Sequence, residues 1–242
     1  MTRFRLLALA AVALVAVVAG ALAVARGRGG SDGDDPAGGG DGRSASAERS
    51  AAADRFLSGY VDGDGRVVRR DEGGDTVSEG QAYAMLVTTA VGDEARFDRA
   101  WTWTRANLQR SDGLFAWRWA DGAISDASSA TDADVDIARA LAMAGDRFER
   151  PELVDEARRV ATAVLEHETA EAGGRLVLVA GPWAREDRIV NPSYLTTCGG
   201  ADLEAVTGDP RWGRLAADGV DLVAALSEEA LPPDWAVLDE DG

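Results

Sequence analysis

From Glu48 onward the apolar residues recur three and four positions apart, the period of a helix with one buried face. Helices are predicted over Glu48–Tyr60, Glu79–Val91, Phe97–Leu108, Asp132–Ala144, Glu152–Thr169, Pro192–Val206 and Trp212–Glu228. Arg66–Val68 and Arg175–Val179 read as extended, and Asp62-Gly63-Asp64-Gly65 supplies a turn. The helices alternate in character. Those starting near Glu79, Asp132 and Ser193 are small and apolar around most of their circumference, which suits burial. Those starting near Phe97, Glu152 and Trp212 carry charge on one side, which suits an outer position. The buried helices begin about 50–60 residues apart, a spacing suited to repeated helical hairpins. Inner helices circled by outer ones describe an all-α toroid, in which the starts of the inner helices can converge on one face.

The first 44 residues follow a different pattern. Arg3 and Arg5 precede an apolar stretch from Leu6 to Val24, and Arg26 and Arg28 follow it. A signal-peptide core is ~7–15 residues and a membrane-spanning helix ~17–25. Residues 1–26 are therefore expected to be a signal-anchor with a cytoplasmic N-terminus, or a signal peptide if Ala21-Leu22-Ala23 is cleaved. Residues 27–44, rich in Gly, Asp and Ser, read as a flexible tether, and residues 45–242 as the folded domain. The domain is then exported, either held outside the cell membrane or secreted, with a membrane as partner only through the N-terminal segment.

Composition narrows the chemistry. The net charge of −17 opposes phosphate, so no nucleic acid is expected as a partner. There is one His, His167, and one Cys, Cys198, which leaves too few ligands for a His/Cys zinc site or a disulfide framework. A Ser-His-Asp triad would need His167, which lies in the charged run Leu165-Glu166-His167-Glu168 and reads as a surface residue; Cys198 reads as a small buried thiol. Asp62-Gly63-Asp64-Gly65 resembles the start of a calcium loop, but Arg66 takes the next ligand position and Gly73 the twelfth. No metal or cofactor is expected. Carboxylates and seven Trp remain.

The carboxylates cluster where helices begin. Ala130-Thr131-Asp132-Ala133-Asp134-Val135-Asp136 places three acids in five residues at a helix start. A first-turn acid suits the macrodipole, and Thr131 or Asp132 can act as N-cap, yet three acids exceed what a cap needs. Asp134 lies on the stripe of Ile137 and Leu141, while Asp136 shares the face of Asp132. Acids this close require a cation or a hydroxyl donor, and Arg118 and Arg139 are candidates. In Ser78-Glu79-Gly80-Gln81-Ala82-Tyr83, Ser78 reads as an N-cap and Glu79 as a first-turn acid. Glu79 also has Tyr83 one turn on, among Ala82, Met85 and Leu86. A carboxyl in apolar surroundings keeps its proton nearer neutrality, which a general acid needs. Phe115-Ala116-Trp117-Arg118-Trp119 alternates aromatics, which either pack inward or offer sugar rings a stacking platform.

These residues resemble glycoside hydrolase family 8. The run from Ala130 to Phe148 resembles the family's signature, and Ser78–Met85 its block around the catalytic acid. The run F-D-R-A-W-T-W-T-R-A-N-L, then L-F-A-W-R-W, then N-P-S-Y at Asn191–Tyr194 follow in the family's order, so the likeness covers roughly Phe56 to Trp235. The resemblance implies an (α/α)6 barrel and inverting hydrolysis of internal β-1,4 bonds in a cellulose-like polysaccharide, with chitosan and xylan as alternative substrates. It implies Glu79 as general acid and Asp132 as the carboxylate that holds the sugar at the cleaved bond. Tyr83, Trp117, Asp134, Asn191 and Tyr194 are then candidates for shaping the cleft and binding substrate. One family feature has no match: the Y-D-A-x-R block bearing the base that activates water. About seven helices are predicted where a closed barrel needs twelve, so the toroid is expected to be incomplete in this chain. A polysaccharide-binding remnant without turnover, or a purely structural helical module, are the alternatives.

Overall fold

The computed structural model describes residues 41–195, 200–228 and 230–242. The expected anchor, the tether up to residue 40 and Cys198 lie outside the described residues. Helices dominate. The first, α1 (Asp41–Tyr60), begins seven residues before the expected Glu48, because the Ser- and Ala-rich end of the supposed tether continues the helix. Two hairpins follow: α2 (Ser78–Val91) with α3 (Glu94–Leu108), and α4 (Thr131–Arg147) with α5 (Pro151–His167). The span expected as one helix over Pro192–Val206 is described as α6 (Pro192–Leu195) and α7 (Gly200–Thr207), followed by α8 (Arg211–Leu226).

The expected inner and outer roles hold for both hairpins. α4 packs against α5 on one side and α2 on the other, and both α2 and α4 are buried around most of their circumference. α3 buries Phe97, Ala100, Trp101, Trp103 and Leu108 and leaves its other side charged. α5 does the same with Leu153, Ala157, Val160, Ala161, Val164 and Leu165. The sharp turn from α2 into α3 uses Gly92 at φ +79°, whose N–H reaches the carbonyls of Thr88 and Thr89.

Three small antiparallel sheets accompany the helices among the described residues. β1 (Thr76–Val77) pairs with β2 (Arg118–Ala120), which pairs with β3 (Ala123–Asp126). β4 (Thr169–Ala172) pairs with β5 (Arg175–Leu178), and β6 (Ile189–Val190) with β7 (Ala236–Val237). Helical periodicity hid most of these short strands. Thr169, expected to end a helix, begins β4, and Arg66–Val68 makes only an isolated bridge from Val67 to Val61. The Asp62–Gly65 turn forms as expected, closed by the Gly65 N–H on the Asp62 carbonyl at 3.0 Å. Its acids serve the backbone and Arg70: Asp64 accepts from the Arg66 N–H, and Asp62 pairs with Arg70 at 2.6 Å.

Candidate active site

Glu79 stands in the first turn of α2 and Asp132 in the first turn of α4. Neither helix start is capped by a side chain. Val77 and Ala130 hold the cap positions, so Ser78 and Thr131 are first helical residues rather than the caps expected. Backbone carbonyls from neighbouring segments take the leading N–H groups instead. Ser78 N–H donates to the Trp117 carbonyl at 3.0 Å and Thr131 N–H to the Ala180 carbonyl at 3.3 Å. The Thr131 hydroxyl also donates to the Val179 carbonyl at 2.6 Å. These tertiary bonds do the work of a cap and leave both acids free for chemistry.

Each acid faces a phenol. Tyr83, one turn along α2, donates its O–H to Glu79 Oε1 at 2.7 Å. Tyr194 of α6 hydrogen-bonds to Asp132. Burial, and then the adjoining carboxylates, push both phenols far above their ordinary range, so each remains a donor. Asp132 is pushed up to about 8, first by burial and then by repulsion from Glu79. The Ala133 N–H and Tyr194 temper that rise, yet one oxygen, Oδ1, is buried without a partner among the described residues. Three helix starts therefore meet around Glu79, Asp132 and Tyr194, and their closeness together with burial favours the neutral form of Asp132.

The other two acids of the run are engaged. Asp136 pairs with Arg139 at 2.8 Å, and burial raises its carboxyl more than the guanidinium lowers it. Asp134 is fully buried, and its Oδ1 accepts the Phe115 N–H at 2.9 Å. Of the two candidate cations, Arg139 thus serves the cluster. Arg118 turns away to Asp75, its Nε at 2.7 Å from the carboxylate.

The aromatic strip divides between core and surface. Phe115 is buried edge-on against Trp101, their ring centroids 6.1 Å apart. Trp119 packs edge-on against Trp103 at 5.6 Å. Trp117 is only half-buried; its indole N–H bonds to Asp126, and the Arg118 guanidinium stands 5.8 Å from its ring. A register shift between Arg118 and Trp119 breaks the alternation that would have put all three rings on one face. Asn191 uses its side-chain oxygen on Ser193, accepting from the backbone N–H at 3.0 Å and the hydroxyl at 2.7 Å, which turns the chain into α6.

Sequence reasoning missed Glu168. It is fully buried just past the end of α5, and its Oε1 accepts from the Ser129 hydroxyl at 2.7 Å. Its position carried a signal: Glu168 continues the buried stripe of Ala161, Val164 and Leu165 at helical spacing, a carboxyl on an apolar face. Asp75 and Asp126, which hold Arg118 and Trp117, gave no such signal.

Helical hairpins whose inner helix starts bring carboxylates and tyrosines together place the chain among the α/α-hairpin proteins. Residues 42–242 match the profile of glycosyl hydrolases family 8, and the chain belongs to that family. It is 38% identical over 192 residues to a probable endoglucanase of Novacetimonas hansenii, covering 76% of this chain and 56% of that protein. The solved endo-β-1,4-glucanase of Acetobacter xylinum superposes with a TM-score of 0.71 at 38% identity, over 76% of this chain and 60% of the other. A family 8 endoglucanase of Klebsiella pneumoniae superposes with a TM-score of 0.75 at 30% identity, over 79% and 65%. The chain thus spans a little over half the length of the first of these relatives.

Proposed function

We propose that the chain carries the acid side of an inverting glycosidase site, within an (α/α)6 toroid, that cleaves internal β-1,4 bonds in a cellulose-like glucan. The observation that carries the reading is Glu79, held by the Tyr83 hydroxyl in the first turn of one inner helix, with Asp132 buried in the first turn of the next. The glucan preference is supported by relatives named as endo-β-1,4-glucanases. Repulsion from Glu79 adds to burial in raising the Asp132 carboxyl. In this reading Glu79 gives a proton to the leaving glycosidic oxygen, and a sugar hydroxyl donating to Asp132 favours the charged form of that carboxyl. Asp132 is left as the carboxylate that grips the sugar at the cleaved bond. Trp117 offers its half-exposed face to a neighbouring ring, and Tyr83, Asp134, Asn191 and Tyr194 shape the cleft.

Inversion also needs a second carboxylate to activate water, about 6.5–9.5 Å from the acid. The neighbouring acids Asp134 and Asp136 are engaged, to the Phe115 N–H and to Arg139. That engagement favours a second reading, in which the 242-residue chain binds glucan without turning it over. Assaying this chain on soluble cellulose derivatives separates the two. Release of reducing ends that is lost in Glu79→Gln supports hydrolysis. Cello-oligosaccharide binding with no turnover supports the second reading. Hydrolysis that survives Glu79→Gln rules out the assignment of the acid.

A further inference from the structure

Beneath Glu79 and Asp132 lies a second carboxyl pair that the proposed chemistry does not use. Asp134, in the first turn of α4, and Glu168, just past α5, are both fully buried. Each has one oxygen satisfied: Asp134 Oδ1 by the Phe115 N–H at 2.9 Å, and Glu168 Oε1 by the Ser129 hydroxyl at 2.7 Å. The other two oxygens, Asp134 Oδ2 and Glu168 Oε2, are closed to solvent and receive no donor among the described residues. The two carboxyls lie close enough to act on each other, Glu168 repelling Asp134. Two carboxylates in contact away from water both lose hydration and repel one another. One proton shared by the pair removes a charge and can turn two orphaned acceptors into a donor and its acceptor.

We propose that Asp134 and Glu168 share a single proton, and that this bond fastens the start of α4 to the end of α5 and to both ends of the segment carrying Trp117. Glu168 is thereby a positioning residue for the site above it. Phe115 and Ser129, the two residues held by the pair, bracket Trp117 in sequence, and Thr131 and Asp132 belong to the same turn as Asp134.

The surrounding groups leave the proton in place. Burial comes first in raising Asp134 well above its ordinary range and in lifting Glu168 to about 7. Asp132 adds repulsion on Asp134, while the Ser129 hydroxyl donates to Glu168. Tyr194 of α6 also feels Glu168 but remains protonated. Arg110, past the end of α3, attracts Glu168; it is already paired with Asp112 at 2.7 Å and bonded to the Ala127 carbonyl at 2.7 Å.

In the unfolded chain both carboxyls ionise near pH ~4. The native state keeps a proton there, so this pair's contribution to stability falls as pH rises above ~4 and levels off once the folded pair has titrated. Amide substitution tests the arrangement. In Glu168→Gln the amide nitrogen donates to Asp134 Oδ2 while its carbonyl still accepts from Ser129; Asp134→Asn does the converse. Each single variant is expected to fold, to lose one carboxylic-acid C=O stretch from the infrared spectrum at neutral pH, and to show a melting temperature that depends less on pH. The double variant sets two amide nitrogens face to face without an acceptor, and its loss of stability is expected to exceed the sum of the singles. Single variants that retain the parent's acid band and pH slope would overturn the proposal. So would a double variant that is merely additive, or a single variant as unstable as the double. These measurements need no hydrolysis, so the shared proton can fail while the role of Glu79 stands, and the reverse.

Discussion

Asp132 shows what a single residue gives up to serve a site. Its carboxyl is raised to about 8, so the native chain holds a proton that the unfolded chain releases near pH ~4. The contribution of Asp132 to stability is therefore present in acid and is lost as pH climbs through about 8. Asp132→Asn has no such proton to lose. It is expected to raise the melting temperature at pH 8, change it little near pH 4, and abolish any hydrolysis; calorimetry across pH checks the first two outcomes. Asp75 works in the opposite sense. Burial alone would raise its carboxyl, but hydrogen bonds from Arg69 and Arg118 outweigh burial and hold it below its ordinary range. Its stabilisation is present above pH ~4 and lost as pH falls through the lowered value. Because both arginines are partly exposed, Asp75→Asn is expected to cost about 1–3 kcal/mol at neutral pH, less than a fully buried ion pair would. Denaturant titration should show the acid limb flattened in that variant. The acids at Asp132 and Asp134 stood out in sequence through crowding at a helix start. Asp75 did not, since nothing local distinguishes an acid that pairs 43 positions away, with Arg118.

Elements were legible where they are long and failed where they are short. α2, α3, α4, α5 and α8 appear close to their expected spans because a helix of three or more turns repeats its apolar period several times. Strands of two to four residues show little period: Arg175–Leu178 was read as extended, but the sheet joining Thr76–Val77 to Arg118–Asp126 was invisible. That sheet explains why the start of α2 needs no cap, since β1 leads directly into α2 and the Trp117 carbonyl, next to β2, takes the leading N–H. Tertiary contacts also fix the turn ahead of it. Gly65 has φ +95°, and a Cβ there would sit 2.2 Å from the Arg99 carbonyl carbon on α3. The obstacle is backbone and cannot rotate aside. Gly65→Ala is therefore expected to lower stability by more than ~1 kcal/mol. Gly63→Ala, two positions earlier with open space around it, is expected to be near neutral in the same melting experiment.

At the scale of the whole molecule the dominant quantity is charge. A net charge of −17 on 242 residues repels itself, and salt weakens that repulsion, the screening length being about 10 Å at 0.1 M. The same field offers a way to choose among polysaccharides that share β-1,4 geometry. A cellulose-like glucan or a xylan is uncharged, so its binding should depend on ring contacts at Trp117 and hydroxyl bonds at the carboxylates, and hardly on salt. Chitosan carries ammonium groups, and an acidic protein would attract it over long range. Its affinity is expected to be high at low ionic strength and to fall steeply as salt is added. Oligosaccharide titrations at low and high salt, with Glu79→Gln to prevent turnover, read this directly. Flat affinity for cello-oligosaccharides fits the glucan reading. A steep salt dependence, with chitosan oligomers bound more tightly than glucans even at high salt, would move the preference to a cationic substrate. In that case the engaged carboxylates Asp136 and Asp134 should remain silent, because Arg139 and the buried pair already satisfy them, and the ammonium selectivity would have to come from Glu79 and Asp132 at the mouth of the helices.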